Sequence, residues 1–204
     1  IDLRKKSDSI KEIKYISDKM KVLVIAPHPD DEVLGCGGTI KKYASSGNDV
    51  YLCVVTKPYM PDWTEQYIKE KQEHIAKSNK ILGIKETFFL DLPTVKLDTI
   101  EQKKLNDLIS SCVERVKPEV LFIPFKGDIN KDHQLVSEAS LVAARPKPGS
   151  SIKKVLAYEV LSETEWGMAN ANSIEKVFLP NYYEDIEKYM EDKKKAMASY
   201  ESEV

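Results

Sequence analysis

Residues 21–40 read KVLVIAPHPDDEVLGCGGTI and decide the fold of this chain. The apolar run from Val22 to Ala26 has no period-two alternation, which is typical of a strand that is buried on both faces. The run ends abruptly in the polar segment from Pro27 to Glu32. In an open α/β sheet, ligands bind in the crevice at the carboxyl ends of the strands. We therefore expect this polar segment to lie at a binding crevice.

Strands and helices alternate along the rest of the chain. Strands are predicted at residues 22–26, 49–56, 87–90, 119–124, 155–161 and 176–179, and helices at 33–46, 65–82, 105–116, 135–143 and 183–200. This alternation predicts the α/β class, with helices on both faces of a mostly parallel sheet. We predict the strand order 3-2-1-4-5, in which strands one and four are neighbours at the point where the winding reverses.

A second polar cluster follows the fourth predicted strand. Residues 126–133 read KGDINKDH and end in His133, which we place in the first turn of a helix capped by Asp132. If strands one and four are neighbours, His133 lies beside His28 and Asp31. Two imidazoles and one carboxylate are the protein ligands of a typical catalytic zinc site, in which the fourth position is open for water. These three residues are the predicted metal ligands.

At these two clusters the sequence resembles the PIG-L/LmbE-like family of zinc-dependent de-N-acetylases. The family motif A-H-P-D-D-E corresponds to residues 26–32 with one additional proline position, and the motif H/N-x-D-H corresponds to residues 130–133. The resemblance extends over most of residues 21–203. It implies a Rossmann-like three-layer α/β/α fold and a hydrolase that removes an N-acetyl group from an N-acetylglucosamine-type amino sugar or glycoconjugate.

The resemblance also implies a role for each matching residue. His28, Asp31 and His133 bind Zn²⁺, or another divalent transition metal such as Fe²⁺, and the metal activates a water by lowering its pKa from about 15.7 to about 7. Asp30 is the general base and then protonates the departing amine. Asn130 stands where many family members have a histidine that stabilises the oxyanion.

Asn130 and Asp132 are nevertheless expected to contribute to catalysis, with Asp132 orienting position 130. An asparagine donates an amide hydrogen bond but is not a cationic acid. Proton delivery is therefore expected to depend more heavily on Asp30.

Three further residues are predicted substrate contacts: Asp128, Arg145 and Trp166. Arg145 either binds an anionic group of the substrate by bidentate hydrogen bonds or is a cation at a helix C-terminus. Trp166 either stacks on a sugar face or belongs to the core. The loop at residues 57–63 is a predicted pocket wall. His74 is expected to be a solvated histidine on an exposed, charged helix rather than a ligand.

The length, charge and cysteine content of the chain restrict its possible partners and location. Its 204 residues are expected to form one domain, residues 1–204, with an N-terminal extension at 1–20 and a C-terminal end shorter than that of the resembling proteins. A net charge of −2 argues against a nucleic-acid partner, and no apolar run is long enough for a membrane span. Three widely spaced cysteines indicate a reduced, cytoplasmic protein. A homo-oligomer is compatible with these features.

Two alternative functions stay open at this point. The first is a non-hydrolytic, Rossmann-like domain that binds a nucleotide or sugar nucleotide through the glycines at residues 35–38. Those glycines do not match G-x-G-x-x-G, and the loop before them is acidic. The second is a magnesium-dependent phosphohydrolase that uses Asp30 and Asp31, against which the histidines argue because Mg²⁺ prefers oxygen ligands.

Overall fold

The computed structural model describes residues 19–161, 163–166 and 177–201. In this part of the chain, five parallel strands form one sheet in the order β3-β2-β1-β4-β5. The strands are β1 (Lys21–Ala26), β2 (Asp49–Lys57), β3 (Glu86–Pro93), β4 (Val120–Pro124) and β5 (Lys154–Tyr158). The predicted class, parallel arrangement and strand order are confirmed.

Five α-helices accompany these strands in the described residues. They are α1 (Asp31–Ser45), α2 (Glu65–Leu82), α3 (Gln102–Val116), α4 (Lys131–Ala143) and α5 (Met190–Met197), with 3₁₀ turns at Leu97–Thr99 and Glu187–Tyr189. Helix α2 is capped at both ends. Thr64 Oγ1 accepts a hydrogen bond from the N–H of Tyr67 at 3.2 Å, and Gly83 ends the helix with φ of 81°.

The β1 strand is covered on both sides, which explains its unbroken apolar run. Val22, Val24 and Ala26 pack with α1, α2 and α5 on one face of the sheet. Leu23 and Ile25 pack with α3 and α4 on the other face. All five side chains are completely buried. The result is a three-layer α/β/α sandwich.

The sheet brings the two polar clusters to the same edge. In the centre of the sheet, β1 pairs in parallel with both β2 and β4, with Val22 opposite Val120 and Val24 opposite Phe122. Residues 27–32 follow β1, and residues 125–130 follow β4. Because β1 and β4 are neighbours and run in the same direction, both segments leave the sheet side by side at the point where the winding reverses.

The glycines of α1 serve close packing. A Cβ at Gly35 would lie 2.2 Å from Cδ2 of Tyr158, and a Cβ at Gly38 would lie 2.7 Å from Cδ1 of Ile186. Both distances are too short for a side chain. The glycines therefore allow β5 and the C-terminal segment to approach the helix.

Several local predictions were wrong. Residues 177–179 form no strand, and residue 176 of the predicted sixth strand lies outside the described residues, as does the segment 1–18 of the N-terminal extension. The last helix begins at Met190 rather than at residue 183. His74 is buried, at 8% exposure, and its ring packs edge-on against Tyr200. The α2 helix is thus less solvated than its charge predicts.

Two expectations about the whole chain can be compared with the structure. The three cysteines are free and buried, and Cys112 of α3 belongs to the core on the face of the sheet that α3 and α4 cover. No helix in residues 19–161, 163–166 and 177–201 combines the length and the apolar character that a membrane crossing requires.

Candidate metal centre and active site

His28, Asp31 and His133 converge at the carboxyl edge of the sheet. His28 Nδ1 lies 3.4 Å from Asp31 Oδ2, and His133 Nε2 lies 3.2 Å from the same oxygen. The two ring nitrogens are 3.3 Å apart. Tetrahedral ligand atoms at about 2.0–2.2 Å from a metal are roughly 3.3–3.6 Å from one another. The three donor atoms therefore fit one face of such a tetrahedron.

Each of these side chains is placed by a local feature of the fold. His28 lies in the loop after β1, and its backbone N–H donates to Asp31 Oδ2 at 2.8 Å. Asp31 is the first residue of α1, and His133 is in the first turn of α4. Two helix N-termini and one strand end thus meet at the donor atoms.

Two buried carboxylates contact the imidazole nitrogens that do not belong to the donor triangle. His28 Nε2 lies 3.0 Å from Asp132 Oδ2, and His133 Nδ1 lies 2.9 Å from Asp128 Oδ2. Because an ionised carboxylate only accepts hydrogen bonds, these nitrogens carry the protons. The lone pairs of His28 Nδ1 and His133 Nε2 then point at the shared site, as in carboxylate–histidine–metal arrangements.

The pKa values show that the cluster attracts positive charge. Burial lowers the pKa of His28, but hydrogen bonds to Asp132 and Asp31 outweigh burial and raise it to about 9. Burial lowers the pKa of His133 as well, yet the charge of Asp31 and the hydrogen bond to Asp128 raise it to about 10. Burial raises the pKa of Asp31, but the nearby imidazoles hold it well below its usual range. Protons or a metal cation are therefore favoured among these groups.

Asp30 lies beside the donor atoms in an unusual backbone conformation. Its φ of 114° is rare for a residue other than glycine, and such a conformation costs on the order of 1–3 kcal/mol. Its backbone N–H donates to Glu32 Oε2 at 3.0 Å, and its Oδ2 lies 3.9 Å from Nζ of Lys71. The surroundings therefore hold both the backbone and the carboxylate of Asp30.

A cavity of about 400 Å³ opens over this cluster. The apolar and aromatic lining includes Leu34, Pro58, Trp63, Tyr67 and Met197. The polar lining consists of His28, Asp30, Asp31, Lys71, Thr94, Asn130 and Glu163. The predicted contribution of the loop at residues 57–63 is confirmed, since Pro58 and Trp63 belong to it.

The three predicted substrate contacts lie elsewhere. Asp128 is completely buried behind His133, where its second oxygen accepts from Thr164 Oγ1 at 2.6 Å. Arg145 is exposed after the end of α4, about 18 Å along the helix from His133. Trp166 is 67% exposed and is neither in the core nor among the residues that line the cavity. Asp128 therefore positions a histidine, and Arg145 fits the alternative of a helix C-terminal cation.

Asn130, and not Asp132, caps the start of α4. Asn130 is the N-cap, and its Oδ1 accepts from the N–H of Asp132 at 3.0 Å. The Asp132 carboxylate instead accepts from the N–H groups of Val95 and Leu97 and bonds to His28. The predictions that Asp132 caps the helix and orients position 130 were wrong, because its side chain turns towards His28.

Lys71 and Glu163 line the cavity and are not among the predicted site residues. A signal for Lys71 exists, since Lys71, Ile75, Ser78 and Leu82 repeat at the spacing of one buried helix face. Glu163 Oε1 lies 3.4 Å from Asn130 Nδ2, on a turn after β5. Nothing in the local sequence pattern distinguishes this carboxylate from an exposed one.

Comparison with known proteins identifies relatives with this fold. Uncharacterized deacetylase YaiS of Escherichia coli K12 is 28% identical over 190 residues, covering 89% of this chain and 90% of YaiS. Diacetylchitobiose deacetylase of Thermococcus kodakarensis is 28% identical over 199 residues, covering 92% of this chain and 71% of that protein. The crystal structure of N,N′-diacetylchitobiose deacetylase from Pyrococcus horikoshii superposes with a TM-score of 0.68 at 26% identity, covering 92% of this chain and 72% of that one.

A family model matches the part of the chain that carries both polar clusters. The model of the PIG-L family, described as GlcNAc-PI de-N-acetylase, matches residues 23–144, from β1 to the end of α4. This range is more than half of the chain and includes His28, Asp30, Asp31 and His133. The chain therefore belongs to the PIG-L family and is an enzyme of its carbohydrate de-N-acetylase class.

Proposed function

We propose that this protein is a zinc-dependent hydrolase that removes the acetyl group from an N-acetylglucosamine-type sugar or glycoconjugate. The observation that carries the proposal is the donor triangle of His28, Asp31 and His133. The donor atoms are 3.2–3.4 Å apart, and each imidazole is bonded to a carboxylate. The triangle lies next to a cavity, so it suits a metal with an open coordination position. Two imidazoles favour zinc or iron over magnesium.

In the proposed mechanism, His28, Asp31 and His133 hold the ion. A bound divalent metal lowers the pKa of water and polarises the amide carbonyl. Asp30 accepts a proton from the attacking water as its oxygen bonds to the carbonyl carbon. Asp30 then gives that proton to the amide nitrogen as the C–N bond breaks, which leaves the free amine and acetic acid, and the acid releases its remaining proton to the solvent as acetate.

The rest of the cavity supports this chemistry. Lys71 Nζ lies 3.9 Å from Asp30 Oδ2, so a basic side chain stands beside the proposed general base. Asn130 lines the cavity and offers its amide as a hydrogen-bond donor towards the carbonyl oxygen. Trp63 and Tyr67 offer the aromatic faces on which sugar rings pack.

The substrate class rests on the relatives. The Thermococcus protein is named a diacetylchitobiose deacetylase, and the family model is described by a GlcNAc-containing substrate. Both names share an N-acetylglucosamine unit. We infer that the same unit occupies the cavity of this protein, with the remainder of a conjugate outside it.

An amine-release assay tests the proposal. The protein is depleted of metal with a chelator, reloaded separately with Zn²⁺, Fe²⁺ or Mg²⁺, and incubated with N-acetylglucosamine and N,N′-diacetylchitobiose. We expect free amine and acetate in equal amounts with Zn²⁺ or Fe²⁺ and none with Mg²⁺ or without metal. Equal release with and without metal would contradict the mechanism, and no release from any N-acetylated sugar tested would contradict the substrate class.

Trp63→Ala is expected to raise KM by about tenfold with little change in kcat, because the variant loses an aromatic wall that contacts bound sugar but not the reacting atoms. The chain contains two tryptophans, so Trp166→Ala is a matched control. Trp166 is exposed and does not line the cavity, and its variant should retain the KM of the native protein. A larger change in KM for Trp166→Ala than for Trp63→Ala would show that the sugar binds elsewhere.

Metal affinity is expected to rise as the pH increases towards about 9. Without metal, His28 and His133 hold protons below pKa values of about 9 and about 10, and a metal ion must displace those protons. Raising the pH removes the competing protons, whereas acid favours them. Because binding displaces one proton from each imidazole, a zinc titration against a competing chelator at several pH values below about 9 should show about a hundredfold gain for each pH unit. An affinity that stays constant with pH would show that the imidazoles are not ligands.

The two alternative functions have less support. Asp31 is the first residue of α1 and Asp30 is its N-cap, so a pyrophosphate at this helix N-terminus would face two carboxylates. Gly35 and Gly38 of α1 pack against Tyr158 and Ile186. A magnesium phosphohydrolase would need oxygen donors where the triangle offers two nitrogens.

A further inference from the structure

Glu32 connects the backbone of Asp30 to the C-terminal end of the described chain. Glu32 is completely buried, and its Oε2 accepts from the N–H of Asp30 at 3.0 Å. Its Oε1 accepts from the hydroxyl of Tyr200 at 2.8 Å. Two donors on opposite oxygens fix the rotation of a carboxylate. The Tyr200 hydroxyl therefore helps to keep Glu32 in the orientation that holds the left-handed backbone of Asp30.

Tyr200 also contacts the group that faces the Asp30 side chain. Lys71 Nζ lies 5.4 Å from the centre of the Tyr200 ring and 3.9 Å from Asp30 Oδ2. An ammonium over an aromatic face is attracted to it, so the ring limits where the Lys71 charge can lie. The backbone and the carboxylate of Asp30 are thus both held by contacts that lead to Tyr200.

The C-terminal segment is docked firmly enough to act in this way. Ile186 packs against the space that a side chain at Gly38 would fill, and Lys193 Nζ donates to the carbonyl oxygen of Leu34 at 2.8 Å. Tyr200 follows the end of α5 and is nevertheless completely buried. Its burial beside the cavity indicates a defined position rather than a loose chain end.

We propose that Tyr200 is a positioning residue for the de-N-acetylation reaction, acting through Glu32 and Lys71 to hold Asp30 in its reactive orientation. The proposal rests on the proposed function in one respect, since it takes Asp30 to be the general base. It assigns a catalytic contribution to the C-terminal segment, which lies outside residues 23–144 that match the family model.

Tyr200→Phe tests the proposal, because it removes one hydroxyl and keeps the ring over Lys71. The matched control is Tyr158→Phe. Tyr158 is also buried, and its hydroxyl donates to the carbonyl oxygen of Ile25 at 2.7 Å rather than to Glu32. Both variants lose one buried hydrogen bond, so both are expected to melt at a lower temperature than the native protein. Only Tyr200→Phe should loosen the hydrogen bond of the Asp30 N–H to Glu32 and thereby change the orientation of Asp30.

Two measurements are made on the zinc-loaded proteins. The first is hydrogen–deuterium exchange of peptides covering residues 26–34, which reports on the Asp30 N–H without any substrate. The second is kcat and KM for amine release from N,N′-diacetylchitobiose, with zinc content measured on the same samples. For Tyr200→Phe we expect faster exchange in this peptide and a kcat about tenfold lower, with KM and zinc content unchanged. Tyr158→Phe should match the native protein in all four.

The outcomes separate this proposal from the proposed function. If exchange is unchanged in Tyr200→Phe, or if kcat stays within twofold of native, the positioning role is overturned while the deacetylase remains. If Tyr158→Phe lowers kcat equally, the effect is one of general stability and the proposal also fails. If the native protein releases no amine but exchange rises only in Tyr200→Phe, the proposed function fails and the structural contact stands.

Discussion

Asp30→Asn is expected to lower kcat by about 10²–10⁴-fold while the protein keeps its metal, because the variant loses the group that moves the proton from water to the departing amine. Asparagine is the suitable replacement here. Asp30 has a φ of 114°, and asparagine tolerates positive φ better than alanine, so the backbone is preserved. The amide also matches the carboxylate in size. The loss of turnover then reports on proton transfer rather than on a rearranged loop.

Asp91→Asn is a control of the same kind for Asp30→Asn. Asp91 also has a positive φ, of 51°, and its Oδ1 lies 3.6 Å from Nζ of Lys57. It belongs to β3 and does not line the cavity. We expect native kcat and native zinc content for this control. Full activity of Asp30→Asn, measured by amine release with zinc content checked on the same sample, would exclude Asp30 as the base.

The donor triangle could be predicted from the sequence because its parts follow from strand order. An apolar run without alternation required a strand covered on both faces, and the order 3-2-1-4-5 made β1 and β4 neighbours. Polar residues directly after these two strands had to share an edge. The distant position of Arg145 follows from the direction of α4, because a helix that starts at the site carries Arg145 about 18 Å away from it.

The residues around the triangle could not be predicted in the same way. Tyr200 reaches Glu32 only because glycines on α1 admit the C-terminal segment, and the sequence does not state which surface that segment covers. The same docking buries His74, which was expected to be a solvated histidine on a charged helix. Asp128 and Asp132 were recognised as functional, but their partners depend on side-chain directions within a short loop. Local sequence patterns determine where helices and strands form, whereas these contacts form between residues of different helices, strands and loops.

His133→Ala is expected to abolish zinc binding and with it amine release, and also to destabilise the metal-free protein. His133 is completely buried between Asp31 and Asp128, with its ring nitrogens 3.2 Å and 2.9 Å from their oxygens. Removing the imidazole takes away one of three donor atoms. It also leaves the buried Asp128 carboxylate without its cationic partner, which costs about 3–5 kcal/mol of unfolding free energy. Zinc content and chemical denaturation of the metal-free protein measure the two effects separately.

Two further variants assign those effects to their causes. His74→Gln replaces the one remaining histidine of the three in the chain, which is buried on α2 outside the donor triangle, and it should keep native zinc content. The double variant Asp128→Asn/His133→Ala removes the unpaired carboxylate, so it should regain stability relative to His133→Ala but no zinc. If His133→Ala binds zinc as tightly as the native protein, the ion is held elsewhere. If the double variant is no more stable than His133→Ala, the destabilisation comes from the lost volume of the imidazole rather than from the charge of Asp128.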